Sequence, residues 1–147
     1  MKILLAVDDS KSSEAVVQAL IAQVQPQGTE VRLLHVIELL PVAYSGDEWG
    51  YSVDWQKVMQ EQRKQAEEFV QQAATKLRAA GFSVTTSVEE GHPKSVIVES
   101  AAKWPADLIL LGSHGRKGID RFLLGSVSEA VARHAPCSVQ VVRGKTS

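Results

Sequence analysis

The segment from Gly112 to Ser126 has the residue types and spacing best suited to chemistry in this sequence. It holds four glycines between an apolar run and the start of a helical pattern. Glycine lacks a Cβ and tolerates positive φ, so such a loop can bring backbone N–H groups close to an anion. Gly125 precedes the helical pattern, and the free N–H groups and dipole of a helix start favour negative charge. The segment therefore predicts a phosphate-binding loop. The alternative is a tight connection whose glycines satisfy turn geometry alone.

The helix that follows this loop has a recognisable start. Ser126 and Glu129 have the spacing of a capping box, which predicts Ser126 as the N-cap residue. Its hydroxyl could serve either the helix or a phosphate oxygen.

Short apolar runs alternate along the chain with segments of helical periodicity. Strands are predicted at residues 3–7, 31–37, 82–88, 107–111 and 138–142. Helices are predicted between them: one that ends before Pro26 and Gly28, one over 53–80 closed by Gly81, one from Pro93 to Lys103, and one over 126–134. The alternation predicts an α/β fold, with one doubly wound domain over residues 1–147. Its five-stranded parallel sheet would carry helices on both faces.

In an open sheet of this kind, ligands bind at the carboxyl ends of the strands, where the strand order reverses. This rule directs attention to the segment Asp8-Asp9-Ser10 after the first strand and to the glycine-rich loop after the fourth. The run 82–88 alternates polar and apolar residues, so its strand is expected near a sheet edge.

Composition excludes several classes of function. The chain has 147 residues and a net charge of −1 without a basic run, which argues against nucleic acid as the main partner. Cys137 is the single cysteine, so no intramolecular disulfide can form. No apolar stretch is long enough to span a bilayer, and the first one is too short for a signal peptide, so a cytoplasmic location is expected. The Gly-x-Gly-x-x-Gly signature is missing after the first strand, which disfavours a dinucleotide site.

The spacing Gly112-x2-Gly115-x9-Gly125-Ser126 resembles the Gly-x2-Gly-x9-Gly-Ser/Thr pattern of ATP-binding universal stress proteins. The resemblance covers nearly the whole chain, from the opening strand that ends in Asp8 to the closing segment 134–139. It implies a Rossmann-like fold of the adenine-nucleotide alpha hydrolase type. It also implies ATP as the ligand, with Mg²⁺ accompanying the nucleotide.

The family's site can be carried over by matching positions. The resemblance implies that Asp8 contacts the ribose or the adenine edge, with a helix N-cap as the alternative role for this residue. It implies a base pocket lined by Ala6, Val7 and Val36, and a sugar flanked by Leu111 and Gly112. It implies phosphates held by Gly115, Gly125, Ser126 and Val127. Arg121 is the best candidate among the loop cations Arg116, Lys117 and Arg121 to screen a triphosphate, and a solvated surface charge is the favoured alternative for each of them. No catalytic residue and no protein metal ligand are predicted.

Three classes of function follow. The preferred one is a binding module for stress signalling, in which ATP occupancy biases conformation or assembly with a protein partner that the sequence does not identify. A slow ATPase or a phosphoryl or nucleotidyl transferase is the second, and a nucleotide-free scaffold is the third. The apolar strand at 138–142 lacks the proline or lysine that blunts a sheet edge. Family members pair this strand across a two-fold axis, which implies a homodimer. The aromatic loop 39–55 has no assigned role.

Overall fold

A computed structural model describes residues 1–8, 11–38, 54–113 and 125–143. Within them five strands form one parallel sheet in the order β3-β2-β1-β4-β5. The strands are β1 (Lys2–Ala6), β2 (Glu30–Glu38), β3 (Ser83–Gly91), β4 (Leu108–Gly112) and β5 (Ser138–Val142). The predicted α/β architecture is confirmed, and the strand limits differ from those expected by three residues at most.

In the described ranges, four helices connect the strands and cover both faces of the sheet. They are α1 (Lys11–Gln23), α2 (Trp55–Ala79), α3 (Pro93–Lys103) and α4 (Ser126–His134). One core lies between the sheet and helices α1 and α2, and it includes Leu5, Leu33 and Leu77. A second core lies on the opposite face against α3 and α4, and it includes Leu4 and Ile109. Because alternate side chains of a strand point to opposite faces, the central strands must be apolar throughout.

The strand order explains the patterning of the individual strands. β1 and β4 lie in the middle of the sheet and are buried along most of their length, so neither shows polar alternation. β3 forms one edge, as its alternating pattern predicted, and β5 forms the other.

Local signals in the sequence set the ends of α2. Asp54 is its N-cap, and the carboxylate accepts a hydrogen bond of 3.2 Å from the N–H of Lys57. Gly81 follows the last turn with φ +99°, the left-handed conformation that glycine adopts without a Cβ penalty. A Cβ at this position would also lie 3.3 Å from Cγ of Pro26. The predicted C-terminal role of Gly81 is confirmed.

Most of the aromatic loop falls outside the described residues, since the loop spans 39–55 and the description resumes at Asp54. Trp55 is described, and it lies in the first turn of α2 with 42% of its surface exposed. None of the helices in the described ranges is long and apolar enough to cross a membrane.

Candidate functional site

The carboxyl ends of β1 and β4 form the point at which the strand order reverses. The two strands are direct neighbours, with Leu5 paired to Leu110. The chain leaves β1 toward β2 on one side, whereas it leaves β4 toward β5 on the other. The connections after the two strands therefore diverge and leave a crevice above their ends. This is the place where the sequence rule predicted a ligand.

Asp8 lies on the β1 side of the crevice and is tied to the first turns of α1. Its carboxylate Oδ1 accepts a hydrogen bond of 2.9 Å from the hydroxyl of Ser13, and the Asp8 backbone is bonded to the same hydroxyl. Ser13 is buried, with 5% of its surface exposed. Asp8 therefore helps to fix α1 against the end of β1. The first helical residue is Lys11, so Asp8 does not occupy the N-cap position itself.

The backbone just before Asp8 is held by β2. The N–H of Val7 donates to the carbonyl of Leu34 at 2.9 Å. Nδ1 of His35 lies 2.9 Å from the carbonyl oxygen of Val7, so this nitrogen must carry the proton that is donated. The buried ring of His35 also packs edge-on against Phe69 of α2, with the centroids 5.8 Å apart. Sequence reasoning had assigned His35 to a strand without recognising this anchoring role.

Three further residues from the sequence prediction lie beside the crevice on the face that carries α3 and α4. Ala6 and Val36 are half-buried at the margin of the second core, and Leu111 belongs to that core with 4% of its surface exposed. Gly112 ends β4 and pairs with Val142 of β5. The carboxyl ends of β2, β1 and β4 thus bring these residues to one side of the sheet.

The N-terminus of α4 forms the β4 side of the crevice. Gly125 is the N-cap residue, with φ −64° and ψ 157°, and no side chain from the described residues caps the helix. The prediction that Ser126 is the N-cap is therefore wrong by one position. Ser126 begins the helix, and its side chain is exposed. Positive φ is not required at Gly125, so the value of glycine here is the absence of a side chain rather than an unusual backbone.

The first N–H groups of α4 remain available. The first hydrogen bond of the helix joins the N–H of Glu129 to the carbonyl oxygen of Gly125 at 2.9 Å. The N–H groups of Ser126 and Val127 donate to no group in the described parts of the chain. Together with the helix dipole they form a place for an anion.

Ser113 joins β4, β5 and α4, and sequence reasoning did not select it. Its N–H donates to the carbonyl of Val142 at 2.8 Å. Its carbonyl accepts from the N–H of Gly125 at 2.7 Å and from the hydroxyl of Ser128 at 3.4 Å. The Ser128 hydroxyl also contacts the carbonyl of Gly125 at 3.0 Å. The sequence signal was a serine directly after the fourth strand, inside the glycine-rich segment.

Two residues of the sequence prediction, Gly115 and Arg121, lie outside the described residues. The described remainder lies at or next to the carboxyl ends of β1, β2 and β4 and at the start of α4: Ala6, Val7, Asp8, Val36, Leu111, Gly112, Gly125, Ser126 and Val127. The side chain of Val7 differs from the others in packing into the first core, on the face that carries α1 and α2. Over the described ranges, no group of three or more His, Cys, Asp or Glu side chains could hold a metal ion.

Two concavities in the described part of the chain differ in their relation to the predicted site. An open groove of about 760 Å³ is lined by α2 and β3 and by none of the predicted site residues. A smaller cavity of about 160 Å³ lies between α1 and α2, with Val7 and Ser13 at one side. The larger groove is lined mainly by polar and charged residues. The crevice between the ends of β1 and β4 remains the candidate site, because Asp8 follows one of these strands and the free N–H groups of α4 lie beside the other.

Comparisons with known proteins agree over nearly the full length. A model described as the universal stress protein family matches residues 1–143. Universal stress protein Sll1388 from Synechocystis sp. is 32% identical over 149 residues, and the match covers 97% of each chain.

Solved structures of the same fold are also similar to this chain. Hypothetical protein MJ0577 superposes with a TM-score of 0.83 at 30% identity, covering 99% of this chain and 97% of that one. A universal stress protein family protein from Arabidopsis thaliana, solved with AMP bound, gives 0.74 at 18% identity and covers 99% and 93%. A universal stress protein from Archaeoglobus fulgidus in complex with dAMP gives 0.68 at 23% identity and covers 97% of each chain. At the identities of the last two, the likeness concerns the fold.

Proposed function

The chain belongs to the universal stress protein family, and we propose that it binds ATP in the crevice between the ends of β1 and β4. The observation that carries this proposal is the free N-terminus of α4 beside the end of β4, next to the strand β1, which Asp8 follows. Backbone N–H groups suit phosphates, and a carboxylate suits the hydroxyls of a ribose. The AMP and dAMP complexes of proteins with this fold support an adenine nucleotide as the ligand.

In this proposal different residues bind the base, the sugar and the phosphates. Ala6, Val7 and Val36 line the base pocket, while Asp8 accepts a hydrogen bond from the ribose or the adenine edge. Leu111 and Gly112 flank the sugar. The phosphates lie at the start of α4, held by Gly125, Ser126 and Val127 together with Gly115 and Arg121. The exposed hydroxyl of Ser126 is free for this purpose because it does not cap the helix. Mg²⁺ would arrive with the triphosphate and need no dedicated protein cage.

We also propose that the protein is a homodimer joined through β5. The two edges of the sheet differ in a way that supports this. Arg78 and Arg63 of α2 donate to the carbonyl oxygens of Val84 and Val88 in β3 at 3.0 and 3.2 Å, so side chains already occupy that edge. No described side chain bonds to the outer backbone edge of β5 in the same manner. An apolar edge strand with free N–H and C=O groups pairs readily with a second copy.

The proposed physiological role is a regulatory one in the cytoplasm during stress, in which nucleotide occupancy biases conformation or assembly with other proteins. β4 would connect nucleotide binding with assembly in this proposal. Its carboxyl end leads to the proposed phosphate site, and its edge pairs with β5, the proposed dimer strand.

The ligand can be identified directly. Protein purified without added nucleotide would be denatured, and the released small molecules analysed by mass spectrometry. Calorimetric titration with ATP, AMP and adenosine would follow on the ligand-free protein. Because the α4 N-terminus acts on phosphates, we expect affinity to fall from ATP to AMP to adenosine. Recovery of ADP or AMP alone would support turnover instead of stable binding. Equal affinity for ATP and adenosine would refute a phosphate site at α4.

A further inference from the structure

The hydroxyl of Ser113 is a buried polar group without a partner. The residue has 2% of its surface exposed, and its Oγ is the one buried side-chain nitrogen or oxygen in the described ranges that makes no hydrogen bond. A buried hydroxyl in this condition costs the free energy of a lost hydrogen bond, and alanine would fit the same space at no such cost. A serine at this position therefore needs a reason beyond packing.

The structural duties of Ser113 belong to its backbone. Its N–H and carbonyl join Val142 of β5 and Gly125 of α4, and these bonds would survive any side chain at this position. The hydroxyl takes no part in them. By the alternation of β4, the side chain lies on the same face as Leu111, which is the face that carries α4.

The groups next to Ser113 point to a phosphate. The free N–H groups of Ser126 and Val127 begin one residue beyond Gly125, whose own N–H is 2.7 Å from the Ser113 carbonyl. The N–H groups of Ser126 and Val127 are donors without an acceptor among the described residues, and the Ser113 hydroxyl can add a third donor. A donor-rich site at a helix N-terminus accepts a fully ionised phosphate oxygen in preference to a neutral group.

We propose that Ser113 is a phosphate-binding residue whose hydroxyl donates to the phosphate chain of the nucleotide at the start of α4. This inference rests on the proposed function and deepens it, since it assigns a side-chain donor that neither the glycine pattern nor the family match singles out. Without a ligand the hydroxyl has no partner among the described residues, and a bound phosphate oxygen would supply one. The unpaired hydroxyl thus lowers the stability of the ligand-free protein, and a bound phosphate would remove this loss of stability.

The test is the substitution Ser113→Ala, measured in two ways. Without ligand, the melting temperature should rise by a few degrees, because an unpaired buried donor has been removed. With ligand, ATP affinity should fall roughly ten-fold while adenosine affinity stays unchanged. Ser128→Ala provides the matched control for stability. Ser128 is equally buried, but its hydroxyl bonds to the Gly125 carbonyl at 3.0 Å, so its loss should lower the melting temperature.

The outcomes separate this inference from the proposed function. A wild-type protein that does not bind ATP overturns both. If the wild type binds ATP and Ser113→Ala binds it equally well, the role of Ser113 is wrong and the proposed function stands. A Ser113→Ala protein that melts lower, or that loses its circular dichroism spectrum, would show that the hydroxyl is structural and would also overturn the inference. Ser113→Cys, which keeps a weak donor of similar size, should bind ATP with intermediate affinity.

Discussion

Gly125→Asp should make the ligand-free protein more stable and at the same time prevent it from binding ATP. Gly125 is an N-cap without a side chain, at φ −64° and ψ 157°, a conformation open to any L-residue. An aspartate there can accept from the first N–H groups of α4 and complement the helix dipole. These gains are together worth about 1 kcal/mol. For a chain of this length that corresponds to a rise of roughly 2–4 °C in melting temperature.

The same carboxylate should abolish phosphate binding. It would occupy the N–H groups that the phosphate needs and place a negative charge against it. Losing two hydrogen bonds to a charged acceptor costs about 3–6 kcal/mol, which lowers affinity by at least roughly 100-fold. Adenosine has no phosphate, so its affinity should change little.

Thermal unfolding and calorimetric titration of one pair of variants would check this. His92→Asp is the matched control, because His92 is the exposed N-cap of α3 and also lacks a side-chain cap bond. It should raise stability to a similar extent and leave ATP affinity unchanged. Undiminished ATP binding by Gly125→Asp would refute the view that the α4 N-terminus holds phosphate. Equal losses for ATP and adenosine would mean that the substitution disturbs the crevice as a whole.

Three further predictions concern Asp8, β5 and the cysteine. Asp8→Ala should lower ATP affinity about 10- to 100-fold by titration. Asp8→Asn, which can still accept from Ser13, should preserve the melting temperature better. Val141→Pro should convert a dimer into a monomer in light scattering. The carbonyl of Val142 points toward β4, so the N–H of the preceding residue, Val141, points to the outer edge of β5, and proline would remove it. A monomeric wild type would contradict the dimer. Burial, and then the charge of Asp107, raises the pKa of the Cys137 thiol above its ordinary value against an opposing backbone hydrogen bond. Alkylation of Cys137 should therefore begin at higher pH in the folded protein than in the unfolded chain. The free energy of unfolding that this shift contributes should be lost as the pH rises from the pKa of the thiol in the unfolded chain to its pKa in the folded protein.

The sequence determined which elements form because the signals for them are local. A run of apolar residues without polar alternation is compatible with a strand covered on both faces, and β1 and β4 are such strands. Pro93 begins α3 and Gly81 follows α2, because proline lacks an N–H and glycine accepts positive φ. The glycine spacing also directed attention to the end of β4. These properties depend on neighbours in the chain and need no tertiary contacts.

The tertiary structure decided how the ends of the elements meet, because those contacts join residues far apart in the chain. The N-cap of α4 is Gly125 rather than Ser126, because the carbonyl of Gly125 accepts the first helical hydrogen bond, and the N–H of Gly125 is held by the distant carbonyl of Ser113. His35 is an anchor for the end of β1 through a bond to a residue 28 positions away. The unpaired hydroxyl of Ser113 has no counterpart in any sequence pattern, because burial and the lack of a partner arise only once β4, β5 and α4 have packed together.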